Sequence, residues 1–220
     1  MVRAERGAPM NGSELYRKSN FPTLEQVLID IHGTRDGKEI FHKAGERLVE
    51  LTQTVDDRGN PALRKHLNKN ILPVVAYYQS AQAWGMDKVA AKVFIGNQMH
   101  SQMQEHAQTY RRLSKIPFFY PIFRKMIKWV LAKQYPQAGW QMQWRQDNTD
   151  GIGFDYHSCF YLDTTTGLGC PEMCELFCQN DDINFSAFAP TVIFMRTQTL
   201  AACCACCDFR FLNGKYTNSK

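Results

Sequence analysis

The chain has 220 residues, of which 44% are apolar and 21% are charged, and its formal net charge is +5. This composition is ordinary for a globular protein that buries a substantial core, so disulfides are not needed for stability. The modest net charge gives no reason to predict nucleic-acid binding. The sequence has neither the roughly 20 apolar residues of a membrane span nor an N-terminal signal peptide. We therefore expect a cytoplasmic protein whose cysteines are reduced.

The N-terminal part of the chain predicts helices. Residues 1–20 are rich in Arg, Gly, Asn and Ser and are expected to form a flexible tail. Residues 21–138 show the apolar periodicity of about five helices. These begin at a capping box on Thr23, after Gly37, at Pro61 with an interruption at Pro73, after Asp87, and at Pro121, from which the fifth continues to Gln134.

Residues 139–220 differ in character, because aromatic and β-branched residues now alternate with polar ones. We predict strands over Gln141–Arg145, Phe154–Leu162, Thr191–Thr197 and Asp208–Leu212, with a short helix from Pro171 to about Asn180. The expected fold class is α+β. In this prediction, an N-terminal bundle of about five helices packs on a C-terminal antiparallel sheet with an inserted helix, and together they form one compact unit.

All eight cysteines lie in this C-terminal region, at positions 159, 170, 174, 178, 203, 204, 206 and 207. A thiolate is a nucleophile and a metal ligand, whereas a buried thiol packs as a small apolar group. Because Cys170, Cys174 and Cys178 are four residues apart, they share one helix face. We interpret the first two as packing residues. Cys178 is a candidate site residue, because the carboxylate of Asp181 follows three positions later, near the predicted helix end.

The four cysteines at 203, 204, 206 and 207 contain two overlapping C-x-x-C spacings. A redox dithiol is disfavoured, because the cysteines precede a strand instead of beginning a helix. Structural zinc would need further ligands, such as His157, Cys159 and Cys178, so we predict neither a metal nor a cofactor. Packing explains all of these cysteines but Cys207, which lies next to Asp208 and is the thiol that we predict to be reactive.

His157, Arg196 and Arg210 also carry functional hypotheses. His157 and Cys159 are two positions apart on a predicted strand, so they would share a face and form an activated Cys–His pair; an exposed strand histidine is the alternative. Arg196 and Arg210 are suited to binding a substrate carboxylate, or are simply exposed charges. The basic fifth helix is compatible with an anionic membrane surface, but a solvated helix face is the preferred interpretation.

Taken together, these residues resemble a known family. The arrangement Cys159 … Cys178-Gln-Asn-Asp181 … Arg196-Thr-Gln-Thr199-Leu … Cys207-Asp208-Phe209-Arg210-Phe211 is similar to that of the L-2-amino-thiazoline-4-carboxylic acid hydrolases, and Ile71-Leu72-Pro73 resembles their Leu-Pro helix. The resemblance covers roughly Leu63 to Phe211. It implies that the family-like residues are Cys159, Cys178, Asp181, Thr199, Cys207 and Asp208. One departure is Cys203, where family members usually carry glycine.

The resemblance implies a cytosolic hydrolase that opens a cyclic amidine. Water adds at the carbon between nitrogen and sulfur, and the named reaction gives N-carbamoyl-cysteine. In this hypothesis Cys207 or Cys159 attacks, with Cys178 in the same site. Asp181 or Asp208 moves protons, and His157, Arg196, Thr199 and Arg210 bind the substrate.

Two alternatives remain open: a tailoring isomerase or cyclase of a secondary-metabolite pathway, and a non-catalytic binding module with a cysteine-rich core. The expected partner is a small-molecule substrate, without nucleic acid and without a membrane span, and the sequence leaves a homo-oligomer open.

Overall fold

The structure is a computed structural model that describes residues 11–217. In chain order, its helices and strands are α1 (Gly12–Lys18), α2 (Leu24–Thr54), α3 (Pro61–His66), α4 (Leu72–Ala83), α5 (Lys88–Leu113), α6 (Phe119–Gln134), β1 (Met142–Asp147), β2 (Gly151–Tyr156), α7 (Phe160–Gly167), α8 (Cys174–Ser186), β3 (Val192–Met195), β4 (Cys207–Asn213) and α9 (Gly214–Thr217). The predicted α+β class is confirmed, with an antiparallel sheet that follows the helical part of the chain. No helix within residues 11–217 combines the length and apolar character that crossing a bilayer requires.

The chain divides into two compact units, Met1–Ile95 and Gly96–Lys220. The boundary falls inside α5, whereas the change in composition predicted a division at residue 138. The difference arises because the last helices before the sheet, α6 and the end of α5, belong with the sheet. Composition along the chain does not reveal this grouping.

The first unit contains a helix inside the segment that was predicted to be a flexible tail. That prediction is wrong for residues 12–18, which form α1, while residues 1–10 lie outside the described part of the chain. The side chain of Asn11 caps α1 by accepting a hydrogen bond from the backbone N–H of Ser13 at 3.0 Å. Gly12 lies so close to Gly45 of α2 that a Cβ atom there would be 2.4 Å from the Gly45 backbone. Glycine at position 12 therefore allows the close approach of two helices.

Pro73 interrupts its helix as the sequence predicts. Because proline has no N–H, the carbonyl of Lys69 loses its helical partner. The turn Leu67–Ile71 widens to a π-helix, and the backbone N–H of Asn20 donates to the Lys69 carbonyl at 3.1 Å. At Gly33, φ is 81° and ψ is 166°, which is not helical, so α2 consists of two helical segments that meet at a kink, in agreement with the two helices predicted there.

The second unit is built around an antiparallel sheet of strand order β1-β2-β4-β3. One face of the sheet is aromatic. Phe154 and Phe209 stack across β2 and β4, with ring centroids 5.2 Å apart. Phe211 is fully buried, and it contacts Phe123 of α6 at 5.3 Å and Phe185 of α8 at 4.9 Å. These rings form the core of the unit and fix α8 over this face of the sheet.

Two helices, α7 and α8, are inserted between β2 and β3, where the sequence predicted one. The predicted strand Phe154–Leu162 ends at Tyr156, because Tyr156 pairs with Cys207, the first residue of β4. Beyond that pair β2 has no partner in β4, and the chain turns into α7 at Phe160. The predicted inserted helix is present but longer than predicted, since α8 continues to Ser186.

Candidate functional site

Strand β4 directs its side chains alternately to two faces of the sheet, because successive residues of a strand point in opposite directions. Tyr156 of β2 pairs with Cys207, and the next pair along the strands is Asp155 with Asp208. Tyr156, Cys207 and Phe209 lie on the aromatic face, which we call the thiol face. Asp155, Asp208 and Arg210 lie on the opposite face, which we call the ion-pair face.

Arg210 was predicted to bind substrate, but the structure places it on the ion-pair face. Its Nη2 lies 2.7 Å from Oδ1 of Asp155, and its Nη1 donates to the backbone oxygens of Phe154 and Phe209 at 2.9 Å. Arg145 Nε binds the second oxygen of Asp155 at 2.5 Å. Burial raises the pKa of Asp155, but the two arginines outweigh burial and leave the pKa below its ordinary value. Arg210 therefore belongs to an ion-pair network that joins β1, β2 and β4, on the face of the sheet opposite to the thiols.

Asp208 was predicted to move protons, but it too lies on the ion-pair face. Its Oδ1 accepts the backbone N–H groups of Thr197 and Gln198 at 2.9 and 2.8 Å, and its Oδ2 accepts the Thr197 hydroxyl at 2.7 Å. Burial raises the pKa of Asp208, yet these hydrogen bonds prevail and lower it below the ordinary value. The carboxylate therefore anchors the loop between β3 and β4.

Thr199 also shapes this loop instead of facing the thiols. It is the N-cap of the short turn Leu200–Ala202, and its hydroxyl accepts the backbone N–H of Ala202 at 3.2 Å. Cys203 ends the turn in the left-handed conformation, with φ of 59°. Glycine adopts this conformation without the steric cost that a Cβ imposes. The backbone N–H of Leu200 then donates to Sγ of Cys207 at 3.1 Å.

His157 does not share a strand face with Cys159. It follows the last residue of β2, is exposed, and uses its backbone N–H to bind the carbonyl of Gln141 at 2.8 Å. Cys159 is instead the N-cap residue of α7. The prediction of an activated Cys–His pair fails, because the strand on which it depended ends before either residue.

Three thiols from two helices meet beside the thiol face. The Cys174 thiol, at the start of α8, interacts with the thiols of both Cys159 and Cys178. These interactions are the largest cause of a raised Cys174 pKa, followed by burial. Cys174 therefore keeps its proton and acts as a donor to its neighbours, a role that goes beyond the packing predicted from its helical spacing.

Cys159 is the thiol whose surroundings favour the thiolate. The hydrogen bond from Cys174 lowers its pKa most, burial opposes it, and the backbone N–H groups of Leu162 and Tyr161 lower it further. Those N–H groups belong to the first turn of α7, where the unpaired amides and the helix dipole favour negative charge. Low-pKa cysteines in proteins occupy this kind of position.

Cys207 behaves in the opposite way. Burial raises its pKa to about 12, and the sulfurs of Cys159 and Cys178 add to the effect, while the N–H of Leu200 and the charge of Arg196 oppose it. Cys207 is therefore a neutral thiol at physiological pH. These interactions also place it near Cys159, Cys178 and Arg196. The structure thus brings together three of the predicted cysteines, and it favours the thiolate at Cys159 and the neutral thiol at Cys207.

Asp181 lies inside α8, one turn after Cys178, and not at a helix end as predicted. Burial raises its pKa to about 7, with Arg196 opposing and Asp182 adding to the effect. Yet 38% of its side-chain surface is exposed. Part of the Asp181 side chain therefore reaches solvent, and we call the group of residues around this carboxyl the recess. A pKa near neutrality is the value that suits a general acid or base.

Arg196 is buried beside this carboxyl group. Its Nη2 donates to the Cys178 carbonyl at 2.8 Å and to Asp182 Oδ1 at 2.7 Å. Its Nη1 lies 3.5 Å from Asp181 Oδ2 and makes no hydrogen bond within the described residues. The guanidinium group is thus held firmly by α8 and keeps one donor edge towards Asp181.

Two tyrosines complete the recess, and neither was predicted from the sequence. The hydroxyl of Tyr156 is buried and has no hydrogen-bond partner within residues 11–217. Burial raises its pKa, and the charges of Asp181, Cys159 and Cys207 add to the effect, which places its ring near all three. The ring of Tyr135 stacks on that of Tyr156, with the centroids 6.4 Å apart. Burial raises the pKa of Tyr135, and the charges of Asp181 and Cys159 add to the effect. The only sequence indication was the alternation of β2, which could not show that Tyr156 pairs with Cys207.

Among the described residues, no group of three His, Cys, Asp or Glu side chains is arranged to hold a metal ion. What the recess offers is a thiolate-favouring cysteine, neutral thiol donors, a carboxyl group that titrates near pH 7, and two unpartnered donors on Tyr156 and Arg196. This set can attack an electrophilic carbon, exchange protons and bind a polar substrate.

The profile of the family described as L-2-amino-thiazoline-4-carboxylic acid hydrolase matches residues 64–211, about two thirds of the chain. No curated protein and no solved structure matches it. The matched range contains every residue of the recess, from Tyr135 to Cys207. The chain therefore belongs to the L-2-amino-thiazoline-4-carboxylic acid hydrolase family.

Proposed function

We propose that this protein hydrolyses a cyclic amidine that resembles 2-amino-thiazoline-4-carboxylate, using a cysteine nucleophile and an aspartate acid–base residue. Membership of the family supports a hydrolase-type function. The observation that carries the finer proposal is the meeting, in one recess, of a cysteine with a lowered pKa and a carboxyl group with a pKa of about 7.

Cys159 is the nucleophile in this proposal, in preference to Cys207. A thiolate attacks far faster than a thiol. The thiolate is favoured at Cys159 by Cys174 and by the first turn of α7, whereas the pKa of Cys207 is about 12. Cys207 instead receives the N–H of Leu200 and fills the wall of the recess in its neutral state.

In the first step, Sγ of Cys159 attacks the amidine carbon between the ring nitrogen and the ring sulfur. The new carbon–sulfur bond forms while the bond from that carbon to the ring sulfur breaks. Asp181, in its protonated form, gives its proton to the departing sulfur. The ring is now open: the substrate is bound to Cys159 as an isothiourea, and its former ring sulfur is a free thiol of the same molecule.

In the second step, Asp181 is a carboxylate and accepts a proton from water. The water oxygen bonds to the same carbon, its second proton passes to the former ring nitrogen, and the bond to Cys159 breaks. The sum is substrate plus water giving a ureido thiol, N-carbamoyl-cysteine for the named substrate. Asp181 is protonated again and Cys159 is again a thiolate, so the cycle closes.

In this proposal, Arg196 and Tyr156 bind the substrate and hold it in position. Arg196 Nη1 is a buried donor that faces Asp181, so it can hold the substrate carboxylate and at the same time keep the Asp181 pKa from rising further. The Tyr156 hydroxyl is a second buried donor without a partner in the described residues, and a bound substrate would supply an acceptor. Cys178 contributes its backbone carbonyl to the Arg196 guanidinium group.

The test is direct. The purified protein is incubated with 2-amino-thiazoline-4-carboxylate, and N-carbamoyl-cysteine is sought by mass spectrometry. Acid-quenched samples taken early in turnover should carry the substrate on the peptide that contains Cys159. An Asp181→Asn variant should turn over slowly enough for the Cys159 adduct to accumulate. If product forms but no adduct on Cys159 is found even in this variant, the covalent step is excluded.

A second candidate is a tailoring isomerase or cyclase that works by proton transfer alone. It is favoured by the near-neutral pKa of Asp181 and by the unpartnered Tyr156 hydroxyl, which form an acid–base pair without any thiolate. Under this hypothesis Cys159→Ser keeps its activity, whereas Asp181→Asn loses it. In either case we propose a cytoplasmic enzyme that acts on a small molecule.

A further inference from the structure

Helix α6 carries exposed apolar residues beside its buried face. Phe119, Phe123, Ile127 and Leu131 are buried in the second unit. Ile122, Met126 and Trp129 are exposed, with 51%, 40% and 57% of their surface open to solvent. At 100° per residue these three positions fall within an arc of about 60°. They form a continuous stripe on the side of α6 that the core does not use, and we call it the α6 stripe.

The stripe continues past the beginning of the helix. Phe118, which directly precedes α6, is 77% exposed, the largest value among the exposed large apolar residues of the described chain. Its backbone is left-handed, with φ of 59°. A bulky residue rarely adopts this conformation, because its Cβ collides with the backbone. The chain therefore accepts a steric cost at a position that directs an aromatic ring into solvent.

Positive charge surrounds the stripe. Between Glu105 and Asp147 the sequence has no acidic residue, but it has eight basic ones: Arg111, Arg112, Lys115, Arg124, Lys125, Lys128, Lys133 and Arg145. Lys133 lies over the Trp129 ring, with Nζ 4.8 Å from the centroid, and Lys215 lies over Phe118 at 5.7 Å. Lys125 is exposed beside the stripe. Lys125, Lys133 and Lys215 thus place positive charge beside the exposed apolar residues. Arg124 and Lys128, by contrast, are paired with Asp147, and Arg145 is paired with Asp155.

We propose that the α6 stripe docks on an anionic lipid surface, with α6 lying in the plane of the interface. An interfacial helix has apolar and aromatic residues on one face and lysines or arginines flanking it. Trp and Phe rings are favourable at the level of the headgroups, and each basic residue near an anionic membrane adds attraction. Large exposed apolar patches mark sites of interaction.

Charge decides between a lipid surface and the other occupants. A second copy of the chain would bring the same lysines against themselves, and like charges repel. A nucleic acid would satisfy the lysines but would leave the aliphatic side chains of Ile122 and Met126 without a suitable partner. Anionic lipid satisfies both sets, because its headgroups attract lysine and its acyl chains accept the apolar residues.

The test uses the full-length protein and vesicles of phosphatidylcholine alone or with 30 mol% phosphatidylserine. We expect the protein to co-sediment with the anionic vesicles at least tenfold more than with neutral ones. Brominated lipids should quench tryptophan emission, and Trp129→Phe should retain binding but lose most of the quenching. Higher salt should weaken the association, because it screens the lysines.

Two variants separate the contributions. The triple change Phe118→Ser, Ile122→Ser, Trp129→Ser removes apolar anchors, and the double change Lys125→Gln, Lys133→Gln removes charge. Each should lower the bound fraction at least tenfold. Matched controls alter exposed residues elsewhere: Ile31→Ser, Val89→Ser, Val93→Ser for the first set and Lys38→Gln, Lys88→Gln for the second. The controls should bind like the wild type, and circular dichroism shows whether every variant is folded.

Three results would overturn the proposal. One is no preference for anionic vesicles. Another is binding that the lysine variant abolishes but the apolar variant leaves unchanged, since attachment would then be electrostatic only. The third is a concentration-dependent dimer, seen by light scattering, that the apolar variant dissociates while vesicle binding is absent, which would assign the stripe to a second copy.

Discussion

Cys207 and Asp208 are consecutive residues of β4, yet their side chains lie on opposite faces of the sheet. Cys207 faces the sulfurs of Cys159 and Cys178, whereas Asp208 holds the loop that follows β3. The two residues therefore serve different purposes although they are adjacent in the sequence. The carboxyl group that accompanies the thiols is Asp181, which comes from α8.

The assignment of the nucleophile predicts unequal effects of two conservative substitutions. Cys159→Ser should lower kcat by about a thousandfold or more, since a serine hydroxyl at this position is not ionised. Cys207→Ser keeps an acceptor for the Leu200 N–H, so its activity should stay within about tenfold of the wild type. Steady-state turnover of the cyclic amidine measures both. The reverse order of effects would restore Cys207 as the nucleophile.

Arg196 should control the pH dependence of the reaction. If the protonated form of Asp181 is required in the first step, the rate should fall as pH rises through about 7. Arg196 opposes the raised pKa of Asp181, so Arg196→Gln should move this alkaline limb up by about one pH unit. Arg196→Lys keeps the charge and should shift the limb less. A limb that stays in place in Arg196→Gln would show that another group titrates.

Asp181 should also reduce stability at neutral and alkaline pH. Its folded pKa of about 7 lies above the ordinary value of 3.8, so the folded state binds the proton more tightly than the unfolded state. The stabilisation that the folded state gains by binding this proton is complete below pH 3.8 and is lost as pH rises through 7. Asp181→Asn should therefore be more stable than the wild type at pH 8. The difference should shrink towards pH 4.5, as measured by urea denaturation. An equal difference at both values would contradict the raised pKa.

Asp208 should matter for folding and not for proton transfer. Asp208→Asn weakens three hydrogen bonds to the loop at Thr197 and Gln198, so we expect a loss of about 1–3 kcal/mol in the free energy of unfolding. The pH dependence of kcat should not change. The control Glu105→Gln alters an exposed acid on α5 and should cost less than about 0.5 kcal/mol. A displaced pH profile in Asp208→Asn would return the residue to the catalytic site.

Helical periodicity and the special properties of proline and aspartate were sufficient to predict much of the helical part. The interruption at Pro73 follows from its missing N–H. The beginning of α5 follows from Asp87, whose Oδ1 accepts the N–H groups of Val89 and Ala90 at 2.8 and 3.2 Å. Thr23 shows the limit of such patterns, since it makes no capping hydrogen bond with its side chain.

The site was harder to predict, because it depends on pairings between distant strands. The length of β2 is set by where β4 begins, and β4 is 51 positions away at the pair Tyr156–Cys207. Without that pairing, His157 appeared to share a face with Cys159, and Tyr156 gave no indication of facing a thiol. The residues of the recess come from the end of α6, β2, the start of α7, α8, the loop after β3, and β4. Sequence spacing alone brought together only Cys174, Cys178 and Asp181.

The left-handed turn at Cys203 has a practical consequence for chemical labelling. Its thiol is exposed on a tight bend, while Cys207 four residues later is buried. An alkylating reagent therefore modifies Cys203 readily whether or not it has any part in turnover, so overall labelling will misreport which sulfur is reactive. Replacing Cys203 by glycine would remove this sulfur and would also relieve the unfavourable φ angle. The remaining thiols could then be titrated against activity.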